Sequence, residues 1–387
     1  MRGAENKEVK KTAKQLDLFQ DGEEELQPRQ ERELERKRRE AIPYLTAPYD
    51  LKVILAKQRI WEWKDECGRN GKDFHVSVGG LDSITLLALV RQELGEDVPG
   101  VSISQLEDKS VQRVHKEMGV ISIPPIKSKV RVLNELGFPV VSKAKANKIH
   151  YLLDKDAEKT TFIHAIMTGD MGEQGHFQHS EKIKLPDKWI ELFGGNYAEH
   201  RPDLVCKVPN FKVSSECCYW MKELPADKWA KEHNSWPFLG LMQSEGGQRE
   251  LGLLKNGCNY VGKSTARSCP FNYFSRQDLL QLALDLNVHV PEVYGEIVRD
   301  PDGTLRTTRA QRTGCSMCGF GIHMEKRPHR FDRLREDNPK EWHFWMYDCC
   351  TDENGEKYGW GRVLDWIGVE WENRWDTELV GQESLFE

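Results

Sequence analysis

The stretch Val76-Ser77-Val78-Gly79-Gly80-Leu81-Asp82-Ser83 decides how the chain is read. Apolar side chains alternate at Phe74, Val76 and Val78, two glycines follow, and an acid and a hydroxyl precede the apolar run SITLLALVRQEL. The pattern predicts a strand over 74–78, a tight turn, and a helix over 83–94. Glycines in such a turn let backbone N–H groups face an anion. The start of the next helix adds partial positive charge, and Ser83 can donate a further hydrogen bond. Asp82 or Ser83 can equally act as an ordinary helix cap with no ligand. The GxxxxGK[ST] spacing of a Walker loop is absent.

Outward from this turn the alternation continues. A strand is expected over 98–103, a helix over 106–118 and a strand over 120–123, which makes two successive βαβ units. Right-handed crossovers would set these strands parallel and place ligands at their carboxyl ends. Helices are expected over 216–233 and 276–286, with a strand over 238–242 between them. The stretch from His164 to Gly172 reads as a loop after a strand end. The expected fold class is α/β, a parallel Rossmann-like sheet flanked by helices, with a small cysteine-containing module at the C-terminal end. The expected organisation is a disordered charged arm over 1–45, a nucleotide-binding domain over 46–299, and a cysteine- and tryptophan-rich module and tail over 300–387.

Composition narrows the class. At 387 residues the chain exceeds one ordinary domain. With 56 Lys plus Arg against 62 Asp plus Glu, its net charge of -6 argues against coating nucleic acid by bulk charge. No apolar run approaches a membrane span, and the opening MRGAENKEVKK lacks a signal-peptide core, so a cytoplasmic protein with no membrane association is expected. The segment 1–40 holds eleven basic and eleven acidic side chains, which predicts a solvated tail with a helical stretch over 31–40 supported by Glu/Arg pairs. Within it Gln15-Leu16-Asp17-Leu18-Phe19 resembles the peptide by which DNA-processing proteins dock on the bacterial sliding clamp. Gln382 to Phe386 resembles a looser copy.

In a reducing compartment, clustered cysteines read as metal ligands or redox groups rather than disulfides. Cys217-Cys218 and Cys315-Ser316-Met317-Cys318 offer four thiolates in two close pairs. Such a set suits a [4Fe–4S] cluster or a tetrahedral zinc, and spacing alone does not separate the two. Arg306, Arg309 and Arg312, then Arg327, Arg330, Arg333 and Arg335, make the most basic part of the chain, a solvated face or a surface for a polyanion.

GGLDS resembles the SGGxDS loop of the PP-loop nucleotide superfamily, whose loop holds phosphates or the sulfate of an adenine nucleotide. The family's first Ser is replaced here by Val78, with Ser77 one position early. Either the loop works through its backbone or nucleotide binding is weakened. The resemblance widens through Cys217, Cys218, Lys222 and Pro225, the run Glu245-Gly246-Gly247-Gln248-Arg249-Glu250, then Cys269, Pro270, Phe274, Asp278, Tyr294 and GCxxC. This order is similar to the phosphoadenosine phosphosulfate (PAPS) reductase family over about residues 70–320. The resemblance implies an adenine nucleotide (PAPS, APS or ATP) on Ser77, Gly79, Gly80, Asp82, Ser83 and Arg249. It also implies a [4Fe–4S] cluster on Cys217, Cys218, Cys315 and Cys318, with zinc as the alternative. The Glu-Cys-Gly tail that carries the family's nucleophile is missing, so sulfonucleotide reduction with a thioredoxin-like reductant would have to use Cys349 or Cys350.

Three function classes follow. The first is a reductase of a sulfonucleotide. The second is an ATP-dependent, pyrophosphate-releasing enzyme that moves sulfur from a donor onto DNA or tRNA, assisted by Mg2+ with Asp82 as a contact. The third is a non-catalytic accessory protein docking on a sliding clamp.

Overall fold

The alternation at Phe74 and Val76 becomes strand β1 (Asp73–Ser77), and the run after the glycines becomes a helix (Leu81–Leu94) that starts two residues earlier than expected. The structure, a computed structural model, describes residues 28–155, 160–170, 179–263, 265–315 and 318–372. The clamp-like peptides at 15–19 and 382–386 lie outside the described residues. The chain divides into two units, each built from two separated segments: Met1–Ile126 with Tyr219–Ser316, and Lys127–Cys218 with Met317–Glu387. The sequence reading instead takes 46–299 and 300–387 in linear succession.

In the first unit the helices run α1 (Pro28–Leu45), α2 (Tyr49–Arg69), α3 (Leu81–Leu94), α4 (Lys109–Glu117), α5 (Leu224–Glu232), α6 (Gly247–Asn256) and α7 (Arg276–Asp285). Beside β1, the strands of its sheet are β2 (Gly100–Ser102), β3 (Ile121–Ser122), β4 (Ser235–Phe238), β5 (Asn259–Val261) and β6 (Ala266–Ser268). Their order is β3-β2-β1-β4-β6-β5. All neighbours are parallel except β5 and β6, which pair antiparallel. The expected mainly parallel α/β sheet is therefore present. Chain order reverses between β1 and β4, and at such a switch point the loops leaving the two strands diverge and open a crevice.

One face of the sheet is covered for reasons visible in the sequence. In α2, Ala56, Ile60, Trp63 and Cys67 recur at helical spacing and are buried, with the Trp63 ring 5.5 Å from that of Trp236. Helix α3 buries Leu81, Ile84, Leu86, Leu87, Leu89 and Val90, almost its whole circumference, as befits a helix apolar on every side. Lys52 on α2 reaches Asp278 at 2.8 Å, and that carboxylate also caps α7 with Ser275. Among the described residues, no helix is long and apolar enough to cross a membrane.

Several expectations need correction. The strand placed at 238–242 lies at Ser235–Phe238. Pro237 lacks a ladder donor and argues locally against a central strand, which drew the reading too far along. The helix expected over 106–118 begins only at Lys109, because Asp108 caps it by accepting from Ser110 N at 2.7 Å. The helix expected over 216–233 is divided into a wide turn (Tyr219–Glu223) and α5, where Pro225 cannot donate to the preceding turn. The 31–40 stretch is helical with its Arg36–Glu33 pair at 2.6 Å, but it is not wholly solvated: Leu34 and Ala41 are buried with Leu254 of α6.

In the second unit, Val140–Val141 pairs parallel with Gly319–Phe320, and Cys350–Thr351 pairs antiparallel with Lys357–Tyr358. Trp360 is fully buried, its ring 5.0 Å from Phe138 and 5.3 Å from Phe331. Residues expected in a separate C-terminal module thus share a core with the 127–218 segment. The loop expected from His164 is instead the second half of a helix, Thr160–Thr168, ended by Gly169 at φ +88; residues 171 and 172 lie outside the described ones.

Candidate functional site

The crevice at the switch point is a cavity of about 290 Å³ lined wholly by the first unit. The β1 loop contributes Ser77, Gly79, Gly80, Asp82 and Ser83, and the segment after β4 contributes Leu239, Gly240 and Leu241. Glu107, Lys222, Glu245, Arg249, Tyr294 and Gln311 to Thr313 complete the wall. A larger recess of about 690 Å³ lies at the opposite edge, where α3, α4 and α7 end. It lacks both the glycine turn and the carboxyl ends of the strands, so the smaller cavity is the chemical candidate.

The five loop residues expected at the site, Ser77, Gly79, Gly80, Asp82 and Ser83, come together with Arg249 around this space. Val78 does not face it: its side chain is buried in the core, and a Cβ on Gly100 would stand 3.2 Å from its methyl. The displacement of serine to position 77 therefore leaves a hydroxyl-bearing residue on the cavity wall and an apolar one beneath it, as strand alternation requires.

Within the loop, Gly79 N donates to Ser83 Oγ at 2.7 Å, and Ser83 Oγ donates to Gly80 O at 3.0 Å. Leu81 N donates to the Tyr294 hydroxyl at 3.0 Å, which pairs with Thr313 Oγ1 at 2.7 Å. Gly240 lets the β4 loop approach, since a Cβ there would stand 3.2 Å from the Asp82 carbonyl. The expected role of Ser83 as a donor to a ligand is thus taken up inside the loop in this state.

Every acid on the wall is matched by a cation. Arg276 reaches Asp82 at 2.5 Å while also donating to Gln311 O, and Lys222 reaches Glu107 at 2.7 Å. Glu245, its side chain only 2% exposed, pairs with Arg249 and lies 3.4 Å from Arg312. Burial pushes the Asp82 carboxyl above its ordinary range and the Arg276 guanidinium pulls it back. Asp82 is therefore engaged with a guanidinium. Arg249 lines the cavity and forms the pair with Glu245. Lys222, Arg249 and Arg312 are three cations whose present partners an incoming anion can replace, next to the N-terminus of the long helix α3.

Arg306 is engaged by Asp300 at 2.8 Å, Arg330 pairs with Glu325, and Arg335 stacks on Trp342 at 4.6 Å, which leaves Arg312 as the member of the basic run on the cavity wall. Glu107, His115, Glu245, Arg276 and Thr313 are site residues that the sequence reading missed. Each is a single polar residue far from the glycines in sequence, and only the sheet order gathers them.

The cysteines assort differently. Cys217 is buried and Cys218, Cys315 and Cys318 are partly exposed. Among the described residues no three His, Cys, Asp or Glu side chains are grouped to hold a metal ion. Cys349 and Cys350, proposed as nucleophiles, are 2% and 1% exposed. The neighbouring Cys350 thiol and burial together push the Cys349 thiol well above its ordinary range, and its Sγ donates to Trp345 O at 3.4 Å. A thiol in that environment is not a thiolate near neutral pH. In the native protein at about pH 8, alkylation of these two residues is expected to be roughly ten-fold or more slower than in the unfolded chain; fast native labelling by mass spectrometry would restore them as nucleophile candidates.

The fold and cavity define an α/β protein with a mainly parallel sheet and a cation-lined crevice at its switch point. No family model and no curated protein matches the chain. Among solved structures it is similar to a phosphoadenylyl-sulfate (PAPS) reductase from Candida auris in complex with phosphate, at 11% identity and a TM-score of 0.31, over 64% of this chain and 89% of that one. A likeness this distant assigns no activity.

Proposed function

We propose that the first unit binds an adenine nucleotide by its phosphates in the switch-point crevice, and that the protein serves ATP-dependent sulfur chemistry. The observation that carries this reading is the Gly79-Gly80 turn at the start of α3, faced by Lys222, Arg249 and Arg312 at the carboxyl edge of the sheet. Adenine as the base, and sulfur as the transferred element, rest on the resemblance of GGLDS and of the later motifs to the PAPS reductase family.

Between the two reactions of that resemblance, the buried Cys349 and Cys350 thiols favour the one that needs no protein thiolate. An acceptor oxygen attacks the α-phosphorus of ATP and pyrophosphate leaves with the electron pair of the broken P–O bond. A sulfur donor then displaces AMP from the activated acceptor. The residues of the chain bind and orient the triphosphate, and the guanidiniums of Arg249 and Arg312 offset the charge that accumulates on the departing pyrophosphate. A [4Fe–4S] cluster on Cys217, Cys218, Cys315 and Cys318 is a separate proposal that rests on the resemblance to the PAPS reductase family, and no step depends on it.

Anaerobically purified protein tests both. ATP titrated by calorimetry should bind in the micromolar to millimolar range, and radiolabelled ATP should release pyrophosphate when DNA or tRNA is supplied as acceptor. Tighter binding of PAPS than of ATP, without pyrophosphate release, would sink the ATP reading in favour of the sulfonucleotide. Iron near about four per chain, lost in Cys318→Ala and retained in Cys67→Ala, is the result expected of the cluster; equal iron in both variants removes it.

A further inference from the structure

We propose that His115 is a positioning residue for the anion site, holding the Gly79–Gly80 peptide in the one orientation that offers an N–H, and not a carbonyl, to a bound phosphate. The inference rests on the nucleotide reading above and names the residue that makes its glycine turn competent.

His115 lies on α4, 1% exposed. Its Nε2 is 2.8 Å from the Gly79 carbonyl oxygen and its Nδ1 is 3.0 Å from Ser104 Oγ, in the turn after β2. A carbonyl oxygen only accepts, so Nε2 carries the proton. In the neutral ring Nδ1 then accepts the Ser104 hydroxyl proton, and this second bond fixes both the tautomer and the ring plane. Burial lowers the basicity of the imidazole, which keeps the ring in this neutral form.

The consequence follows from peptide geometry. In a trans peptide the C=O and the next N–H point in opposite directions. Anchoring the Gly79 carbonyl on His115 therefore turns the Gly80 N–H away from His115. Gly80 lines the cavity, and its N–H meets no hydrogen-bond acceptor among the described residues. By contrast Gly79 N and Leu81 N are occupied by Ser83 Oγ and the Tyr294 hydroxyl. The Gly80 N–H is thus a donor held ready for a ligand oxygen.

Two glycines in succession make the same peptide easy to flip, because neither side carries a Cβ. Flipped, it would aim the Gly79 carbonyl oxygen at a phosphate and replace an attraction by a repulsion. The imidazole, itself locked by Ser104, opposes that flip. The sequence alone gives no hint of this, since His115 is 36 residues from Gly79 and sits on a different helix.

The test compares His115→Leu, which removes the donor, with His115→Gln, whose side-chain amide N–H can take the place of Nε2–H, and with Ser104→Ala, which unlocks the ring. ATP, inorganic pyrophosphate and adenosine are titrated against each folded variant. His115→Leu should lose roughly ten-fold or more in affinity for ATP and for pyrophosphate, with adenosine unchanged. His115→Gln should recover most of the loss, and Ser104→Ala should fall between. Wild-type affinity for pyrophosphate in folded His115→Leu overturns the proposal. An equal loss for adenosine also overturns it, because the residue would then be supporting the whole crevice. If the unaltered protein binds neither ATP nor pyrophosphate, the nucleotide reading itself fails, and that outcome is distinct from both.

Discussion

Gly80→Ala should weaken phosphate-dependent nucleotide binding by about a hundred-fold or more, while Gly79→Ala, one residue earlier, should leave a folded protein with a modest loss. A Cβ on Gly80 would fall well inside contact distance of the Tyr294 hydroxyl and 2.9 Å from Thr313 Oγ1. Neither neighbour can simply swing aside. The Tyr294 ring is buried, and its oxygen accepts the Leu81 N–H while pairing with Thr313. Relief of the clash requires the ring or the start of α3 to move, which frees a buried N–H. Overpacking costs about 1–3 kcal/mol and an orphaned buried donor adds a comparable amount. The same shift displaces the Gly80 N–H and the α3 terminus from any ligand, so affinity for ATP should fall by about a hundred-fold or more. At Gly79 the added methyl meets only Glu107 Oε1 and Ser83 Oγ, both at 3.8 Å, which is ordinary contact. The checks are urea unfolding and ATP titration of both variants. Equal behaviour at the two positions would mean that Tyr294 does not buttress the loop.

That contrast also marks how far the sequence could be read. The strand, turn and helix around Gly79 were legible because they follow from neighbouring residues: alternation to Val78, two glycines, then an apolar helical run. The parallel order of β1, β2 and β3 follows from the same local pattern. Residues 235–237 were not expected in the strand because Pro237 breaks the local rule, while tertiary pairing with His75 holds the strand in place. The buried face of α1 was hidden for the opposite reason, two apolar residues among many charges. The glycines, Ser77, Asp82, Ser83 and Arg249 were expected at the site, but the rest of its walls did not declare themselves. Glu107, Lys222, Glu245 and Arg312 look like any solvated charge until the reversal of strand order between β1 and β4 brings their loops to one edge.

The charge pairing on the cavity wall leads to the second large effect. Glu245 is a buried carboxylate shared by two half-exposed guanidiniums, with Arg249 and Arg312 exposed to 50% and 64%. Replacing either arginine by alanine leaves the other on the acid, so each single change should cost about 1 kcal/mol or less in stability, in keeping with exposed ion pairs. Each should also weaken ATP binding by roughly ten-fold, the value of one charge-assisted contact. The double variant is different. Glu245 would then be a buried charge with no counter-ion, a situation that costs about 3–5 kcal/mol and greatly exceeds the sum of the singles. Adding Glu245→Gln to the double variant removes the stranded charge and should return most of the stability, yet not the binding, because both cations are still absent. Stability and affinity are thereby separated within one set of four proteins, read by urea midpoints and ATP titration. Strict additivity of the two arginine changes, with no recovery on neutralising Glu245, would show that the acid is not shared. Binding restored by Glu245→Gln would show that the arginines act on the acid and not on the phosphate.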